Sequence, residues 1–274
     1  MAFKSICVSM FGKKATILTT VISLLFVSSC KFNERPAENS SETPTEETPI
    51  TITHHEDMKT TLSSLLLEKK QDFLNRASKE KIDAYDEGFE AIRQAGIIDS
   101  ALNTGDMAPD FSLTNAMGQN VELSEKLKEG PVVLVWYRGG WCPYCNITLH
   151  YLQEKLPEFK AAGAQLIALT PEVPDSSLST SEKHELQFDV LSDLGNKVAR
   201  EYGIVFDLTP EVAEMYQNSF NIEKYSGDAS YQLPLAATYI IDRTGEIRYA
   251  FLDVDYRNRA EPDEIIKVLK LIGE

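Results

Sequence analysis

Cysteine, histidine and positive charge are all scarce in this sequence, and each scarcity excludes something. There are 4 cysteines and 4 histidines in 274 residues. A structural zinc site needs four ligands in paired spacing. Only one Cys-x-x-Cys is present, and His54, His55, His150 and His184 are scattered without ligand spacing. The 27 basic residues are outnumbered by 42 acidic ones, a formal net charge of −15. That balance argues against a nucleic-acid partner, because phosphate binding wants basic surface. Long apolar runs are missing too. The longest near the start, Ala15 to Val27, has 13 residues, short of the roughly 20 that a membrane-spanning helix needs.

That run nevertheless has a layout. Lys4, Lys13 and Lys14 precede it, the small residues Ser28 and Ser29 follow, and Cys30 comes next. This three-part pattern predicts a secretory signal over residues 1–29. Val27-Ser28-Ser29-Cys30 also resembles a bacterial lipobox, which implies lipid on Cys30, a membrane tether and a domain held outside the cytoplasm in the bacterial cell envelope. Cys7 leaves with such a signal. If Cys30 carries lipid, Cys142 and Cys145 are the thiols left to the mature chain.

Residues 30–57 are rich in Glu, Thr, Ser and Pro and poor in large apolar residues, so they cannot offset the entropy of ordering and read as a disordered tether. Over residues 58–103 Leu62, Leu65, Leu66, Phe73, Leu74, Ile82, Tyr85, Phe89 and Ile92 recur at helical steps, with Gly96 as a stop. Packing on the following domain is the expectation for these helices, and a partner surface is the alternative. From residue 104 to 274, strands alternate with helices. Pro131 to Tyr137 suits a central strand, Pro143 to Lys160 a helix, and Ala164 to Leu169 a second strand. A loop with Pro171 and Pro174 follows, then a helix over Ser181 to Leu186, a short strand over Phe188 to Leu191 and a helix over Gly195 to Tyr202. Thr238 to Ile241 and Ile247 to Val254 form a hairpin about Asp242-Arg243-Thr244-Gly245, and Pro262 to Ile272 is a closing helix. The pattern predicts an α/β three-layer domain with a mixed sheet.

Cys142-Pro143-Tyr144-Cys145 falls where the first strand gives way to a helix. Proline suits the first helical position. A helix N-terminus offers free N–H groups and partial positive charge, which lower a thiol pKa from about 8.5 toward roughly 3.5–7.5. Arg138 adds positive potential. Cys145 lies one turn into the helix, within disulfide reach, so Cys142 is the candidate attacking thiol and Cys145 the resolving one. Half a zinc site and a structural disulfide remain as alternatives, although so short a loop would remove little chain entropy. His150 reads as a helix-surface residue. Trp136 and Trp141 read as core and rim of the site.

Four ordered segments resemble the peroxiredoxin-like branch of the alkyl hydroperoxide reductase and thiol-specific antioxidant family. They are "GDMAPDFSL", "VELSEKLKEGPVVLVWYRGGWCPYC", "LSDLGNKVAREYGI" and "ATYIIDRTGEIRYAF". The resemblance implies a thioredoxin-like fold preceded by the N-terminal helices. It implies Cys142 as the peroxidatic cysteine of a hydroperoxide reductase, forming a sulfenic acid. Cys145 would then close the disulfide and a thioredoxin-like protein would reduce it, with no metal, flavin or haem as cofactor. The sequence departs from the family at three places. Gly139 stands where a threonine or serine is usual, Val135 where a proline is usual, and Ala236 where an arginine is usual. Arg138 is the candidate replacement for that arginine. The rival activity is thiol–disulfide exchange on protein cysteines by a membrane-tethered oxidoreductase, and a third reading is a non-catalytic binding module of the same fold.

Overall fold

A computed structural model of the chain describes residues 60–115 and 117–273. The signal, Cys30, the acidic tether, His54 and His55 lie outside the described residues. In chain order the elements are α1 (Leu62–Arg76), α2 (Lys79–Gln94), α3 (Ile97–Ser100), β1 (Ser112–Thr114), β2 (Asn120–Glu122), α4 (Leu123–Glu129), β3 (Val132–Trp136), α5 (Pro143–Ala161), β4 (Gln165–Thr170) and α6 (Pro174–Lys183). They continue with β5 (Asp189–Ser192), a single 3-10 turn at Leu194–Asn196, α7 (Lys197–Glu201), β6 (Val205–Asp207), α8 (Pro210–Phe220), α9 (Ile222–Ser226), β7 (Gln232–Pro234), β8 (Thr238–Ile241), β9 (Ile247–Phe251) and α10 (Pro262–Ile272).

The central sheet has five strands in the order β5-β4-β3-β8-β9. β3 pairs parallel with β4, with Val132 opposite Gln165, and antiparallel with β8, with Val132 opposite Ile241. All five residues of β3 are buried. A strand covered on both faces has no polar alternation, which is why its sequence is one apolar run. Val132, Leu134 and Trp136 face one cluster, and Val133 and Val135 face another. The second cluster is closed by Leu152, Leu156 and Phe159 of α5 and by Ile265, Ile266 and Leu269 of α10. This is the mixed α/β architecture that the sequence pattern predicts, and the thioredoxin-like fold that the family resemblance implies.

The N-terminal helices are packed elements. α1 lies on α5, where Leu62 and Leu66 join the cluster that holds both thiols. α2 buries Tyr85, Phe89 and Ile92, a helical-period face, and meets α8. The Tyr85 and Tyr216 rings stand 5.8 Å apart there.

Four local expectations need correction, and the first is the strand expected over Ile247–Val254, which ends at Phe251. The helix placed at Ser181–Leu186 runs over Pro174–Lys183, because Pro174 occupies its first turn and so begins a helix instead of extending a loop. The helix expected from Gly195 begins at Lys197, since Gly195 and Asn196 both take left-handed backbone (φ +71° and +55°). The strand placed at Phe188–Leu191 is shifted by one residue, to Asp189–Ser192.

Candidate active site

β3 and β4 run parallel, so their C-terminal ends open onto the same edge of the sheet. The chain leaving β3 crosses that edge before α5 begins. Tyr137 still pairs with the sheet, its N–H donating to the Leu169 carbonyl at 2.9 Å. Gly139 then takes φ +147°, and Cys142 caps α5 in extended backbone, with its own N–H donating to the Gly139 carbonyl at 3.0 Å. A side chain at Gly139 has nowhere to go, since a Cβ would fall 2.3 Å from the Trp141 indole nitrogen. The family's threonine is therefore incompatible with this loop, and the indole fills its place.

Both sulfurs are buried, Cys142 at 1% and Cys145 at 0% exposure, and both are free thiols. The expectation of a depressed Cys142 is not met. Burial pushes its thiol up, reinforced by the hydrogen bond and charge shared with Cys145 and opposed by Arg138 and Arg259. Cys145 is also pushed up by burial, but the hydrogen bond from Cys142, Arg259 and Arg138 together bring it down to about 5. The geometry agrees, because Arg259 Nη2 stands 3.6 Å from Cys145 Sγ. At Cys142 desolvation thus outweighs the helix N-terminus, while Arg138 and Arg259 favour a thiolate within the pair.

Arg138 is 1% exposed. Among the described residues no carboxylate pairs with its guanidinium, and its Nε has no hydrogen-bond partner. Three rings surround it instead, with the guanidinium carbon 3.7 Å from the Tyr256 centroid, 4.9 Å from Trp141 and 5.0 Å from Tyr216. Aromatic faces attract a cation but do not neutralise it. Arg138 also borders a cavity of about 20 Å³, walled further by Tyr85, Phe89, Ile92, Tyr216 and Tyr256. That space holds roughly one water-sized molecule.

Glu172 follows β4 and is 1% exposed. One carboxylate oxygen accepts the Gly140 N–H at 2.9 Å and the other accepts the Tyr137 hydroxyl at 3.3 Å. Burial raises its pKa to about 7 against those two hydrogen bonds, and the charge of Cys145 pushes in the same direction as burial.

The remaining expectations sort as follows. Trp136 is fully buried and Trp141 is partly buried at the site, packed on Tyr216 and Phe220. His150 is on the surface beside Glu154, at 3.5 Å. His184 lies by Asn146 at 3.2 Å. Among the described residues no three His, Cys, Asp or Glu side chains gather to hold a metal ion. Ala236 is buried before β8 and brings no charge; the positive charge at the thiols comes from Arg138 and Arg259. Sequence reasoning missed Arg259, Tyr256 and Glu172. Glu172 carried a signal, as an acid between two prolines directly after an apolar strand parallel to the one that leads into Cys142. Arg259 and Tyr256 carried none, since nothing local ties them to a helix begun more than a hundred residues earlier.

The AhpC/TSA family model matches residues 104–250. The chloroplastic peroxiredoxin Q of Triticum aestivum is 30% identical over 178 residues, 65% of this chain and 70% of that protein. The chloroplastic peroxiredoxin Q of Suaeda salsa is 30% identical over 173 residues, 62% of this chain and 68% of that protein. Among solved structures, the peroxidoxin BcpB of Mycobacterium tuberculosis superposes with a TM-score of 0.50 at 21% identity, covering 62% of this chain and 98% of that one. A peroxiredoxin 6 variant of Arenicola marina does so with a TM-score of 0.51 at 18% identity, covering 62% and 73%. These two likenesses establish the fold. With its thioredoxin-like sheet, its dithiol at the head of α5 and a match across residues 104–250, the chain belongs to the AhpC/TSA family, as a peroxiredoxin-like, thiol-dependent peroxidase.

Proposed function

We propose that the chain reduces hydrogen peroxide or organic hydroperoxides through Cys142 and Cys145, and that a thioredoxin-like protein reduces the resulting disulfide. The observation that carries this reading is the buried guanidinium of Arg138, unpaired by any carboxylate among the described residues and electrostatically coupled to Cys142. A hydroperoxide adds negative charge beside this cation only as its O–O bond breaks. That is the pattern expected of a group stabilising a transition state.

The steps balance. Cys142 passes its proton along the existing hydrogen bond to Cys145, and the Cys142 thiolate attacks the terminal oxygen of the hydroperoxide. The O–O bond breaks, sulfur is oxidised to the sulfenic acid, and the alkoxide or hydroxide leaves beside Arg138 and takes a proton from water. Cys145 then gives up the proton it received from Cys142 and attacks Cys142 Sγ; the S–O bond breaks, that proton joins the departing hydroxide, and the disulfide forms with release of water. Reduction by a protein requires α1 and the first turn of α5 to open, because neither sulfur is accessible to a folded partner. A lipid on Cys30 and a place outside the cytoplasm belong to this proposal as well, tested by intact-mass analysis of the mature chain.

The test is NADPH-coupled turnover of hydrogen peroxide and of an alkyl hydroperoxide with thioredoxin and its reductase. The expected result is consumption that depends on Cys142. No turnover, with Cys142 demonstrably reduced, overturns the reading.

A further inference from the structure

A buried carboxyl that the steps above leave unused contacts the loop that carries Cys142. We propose that Glu172 holds the proton of the dithiol, taking it from Cys145 when Cys145 attacks and returning it to the hydroxide that leaves Cys142. The inference rests on the peroxidase reading for its substrate, though not for its proton chemistry.

Four observations carry it. Glu172 is 1% exposed, and among the described residues no lysine, arginine or histidine forms an ion pair with it. Both of its oxygens are engaged by the dithiol's own surroundings, one by the Gly140 N–H two residues before Cys142 and the other by the Tyr137 hydroxyl. The space it occupies is reserved, since a Cβ on Gly139 would come within 3.1 Å of its Oε1. It also feels the charge of Cys145, as does Tyr137. A carboxylate buried without a cation is costly, and ion-pair geometry does not account for this one.

Its titration range fits the role, because a pKa of about 7 leaves it partly ionised at neutral pH and able to accept and return a proton. After peroxide has oxidised Cys142, Cys145 carries the proton it received from Cys142. The proton moves to the Glu172 carboxylate, and the Cys145 thiolate attacks Cys142 Sγ. The S–O bond breaks, and the departing hydroxide takes the proton back from Glu172 as water. One S–S bond forms, Cys142 sulfur is reduced as Cys145 sulfur is oxidised, and no outside electron is needed. Glu172 acts through the pair and its loop, as a positioning and proton-holding group.

The experiment uses the full chain and its Glu172→Gln and Glu172→Asp variants. Reduced protein is mixed with hydrogen peroxide between pH 5.5 and 8.5, and acid-quenched samples are analysed by mass spectrometry for Cys142 sulfenate and for the Cys142–Cys145 disulfide. The expected result is wild-type disulfide closure with a step near pH 7. E172Q should lose the step, close at least about tenfold more slowly and accumulate sulfenate formed at the wild-type rate. E172D should keep a displaced step. An E172Q chain that closes its disulfide at the wild-type rate with the same pH step overturns the proposal. Should E172Q unfold by circular dichroism, E172D decides, and an unmoved step overturns it. If wild type forms no sulfenate, the peroxidase reading fails on its own. The Glu172 proposal is then read from dithiothreitol reduction of the diamide-oxidised pair, in which the proton that the reduced pair takes up can pass through Glu172. A pH step lost in E172Q supports it, and identical profiles overturn it.

Discussion

The cluster under α5 and α10 and the surroundings of the thiols share the strand β3, yet one is hydrocarbon throughout. Val133, Val135, Leu152, Leu156, Phe159, Ile265 and Leu269 fill the first with apolar side chains. The second encloses the guanidinium of Arg138, the carboxyl of Glu172, two thiols and the Tyr144 hydroxyl, and both Arg138 Nε and that hydroxyl lack partners among the described residues. Burial stabilises the first cluster in proportion to the area removed from water. In the second, burial of charged and polar groups is a cost, tolerated because desolvation strengthens every electrostatic interaction with a reacting peroxide. The chain stores stability under α5 and α10 and gives some up around the thiols.

The comparison breaks most sharply if the two regions respond alike to substitution. Phe159→Ala is expected to cost about 3–5 kcal/mol in urea unfolding, while peroxide kcat/KM of the folded fraction changes less than about twofold. Arg138→Met should do the opposite. Its kcat/KM for hydroperoxide falls roughly 10²–10³-fold, as when one transition-state donor is removed. Its unfolding midpoint stays or rises, since an unpaired buried cation is replaced by a flexible apolar chain. An Arg138→Met protein as unstable as Phe159→Ala would make Arg138 a structural residue.

Glu172 sharpens the point through pH. Its folded-state pKa of about 7 lies above the ordinary 4.5, so between those values the folded chain binds more protons than the unfolded one. Its contribution is therefore lost as pH rises from about 4.5 to about 7, on the order of 3 kcal/mol at full development. Glu172→Gln should gain stability over wild type at pH 8, and that gain should fade toward pH 4 in chemical denaturation. A gain that does not vary with pH would contradict the raised pKa. The smallest effect belongs to His150→Ala, expected within about 0.5 kcal/mol in the same unfolding measurement and without change in turnover, because the imidazole is on the surface.

Local signals explain what was legible in the sequence. The apolar run into Cys142, Pro143 at the first turn of α5, the Asp242–Gly245 turn and the α10 stripe are short-range features, and each lands within a residue or two of its element. α8, α9 and the β6–β7 pair were not read from the sequence, since short strands and helices depend on packing that no local window shows. Gly139 and Ala236 were visible as departures from the family but not as reasons. Only the fold shows that the Trp141 indole occupies the space over Gly139, and that Arg259 arrives from the far end of the chain to stand at Cys145. The lowered Cys142 thiol was expected from a local feature alone, and burial pushes it up instead. A helix N-terminus is a sequence feature, whereas burial under Leu62 and Leu66 and the approach of Arg259 are tertiary ones.

The most direct test of the account is peptide mapping of the fully reduced chain after one equivalent of hydroperoxide. The expected result is a single intramolecular Cys142–Cys145 disulfide, and in a Cys145→Ser variant a sulfenic acid on Cys142. Both thiols still free after peroxide, or a sulfenic acid carried by Cys145 in a Cys142→Ser variant while Cys142 stays unmodified in Cys145→Ser, would contradict it.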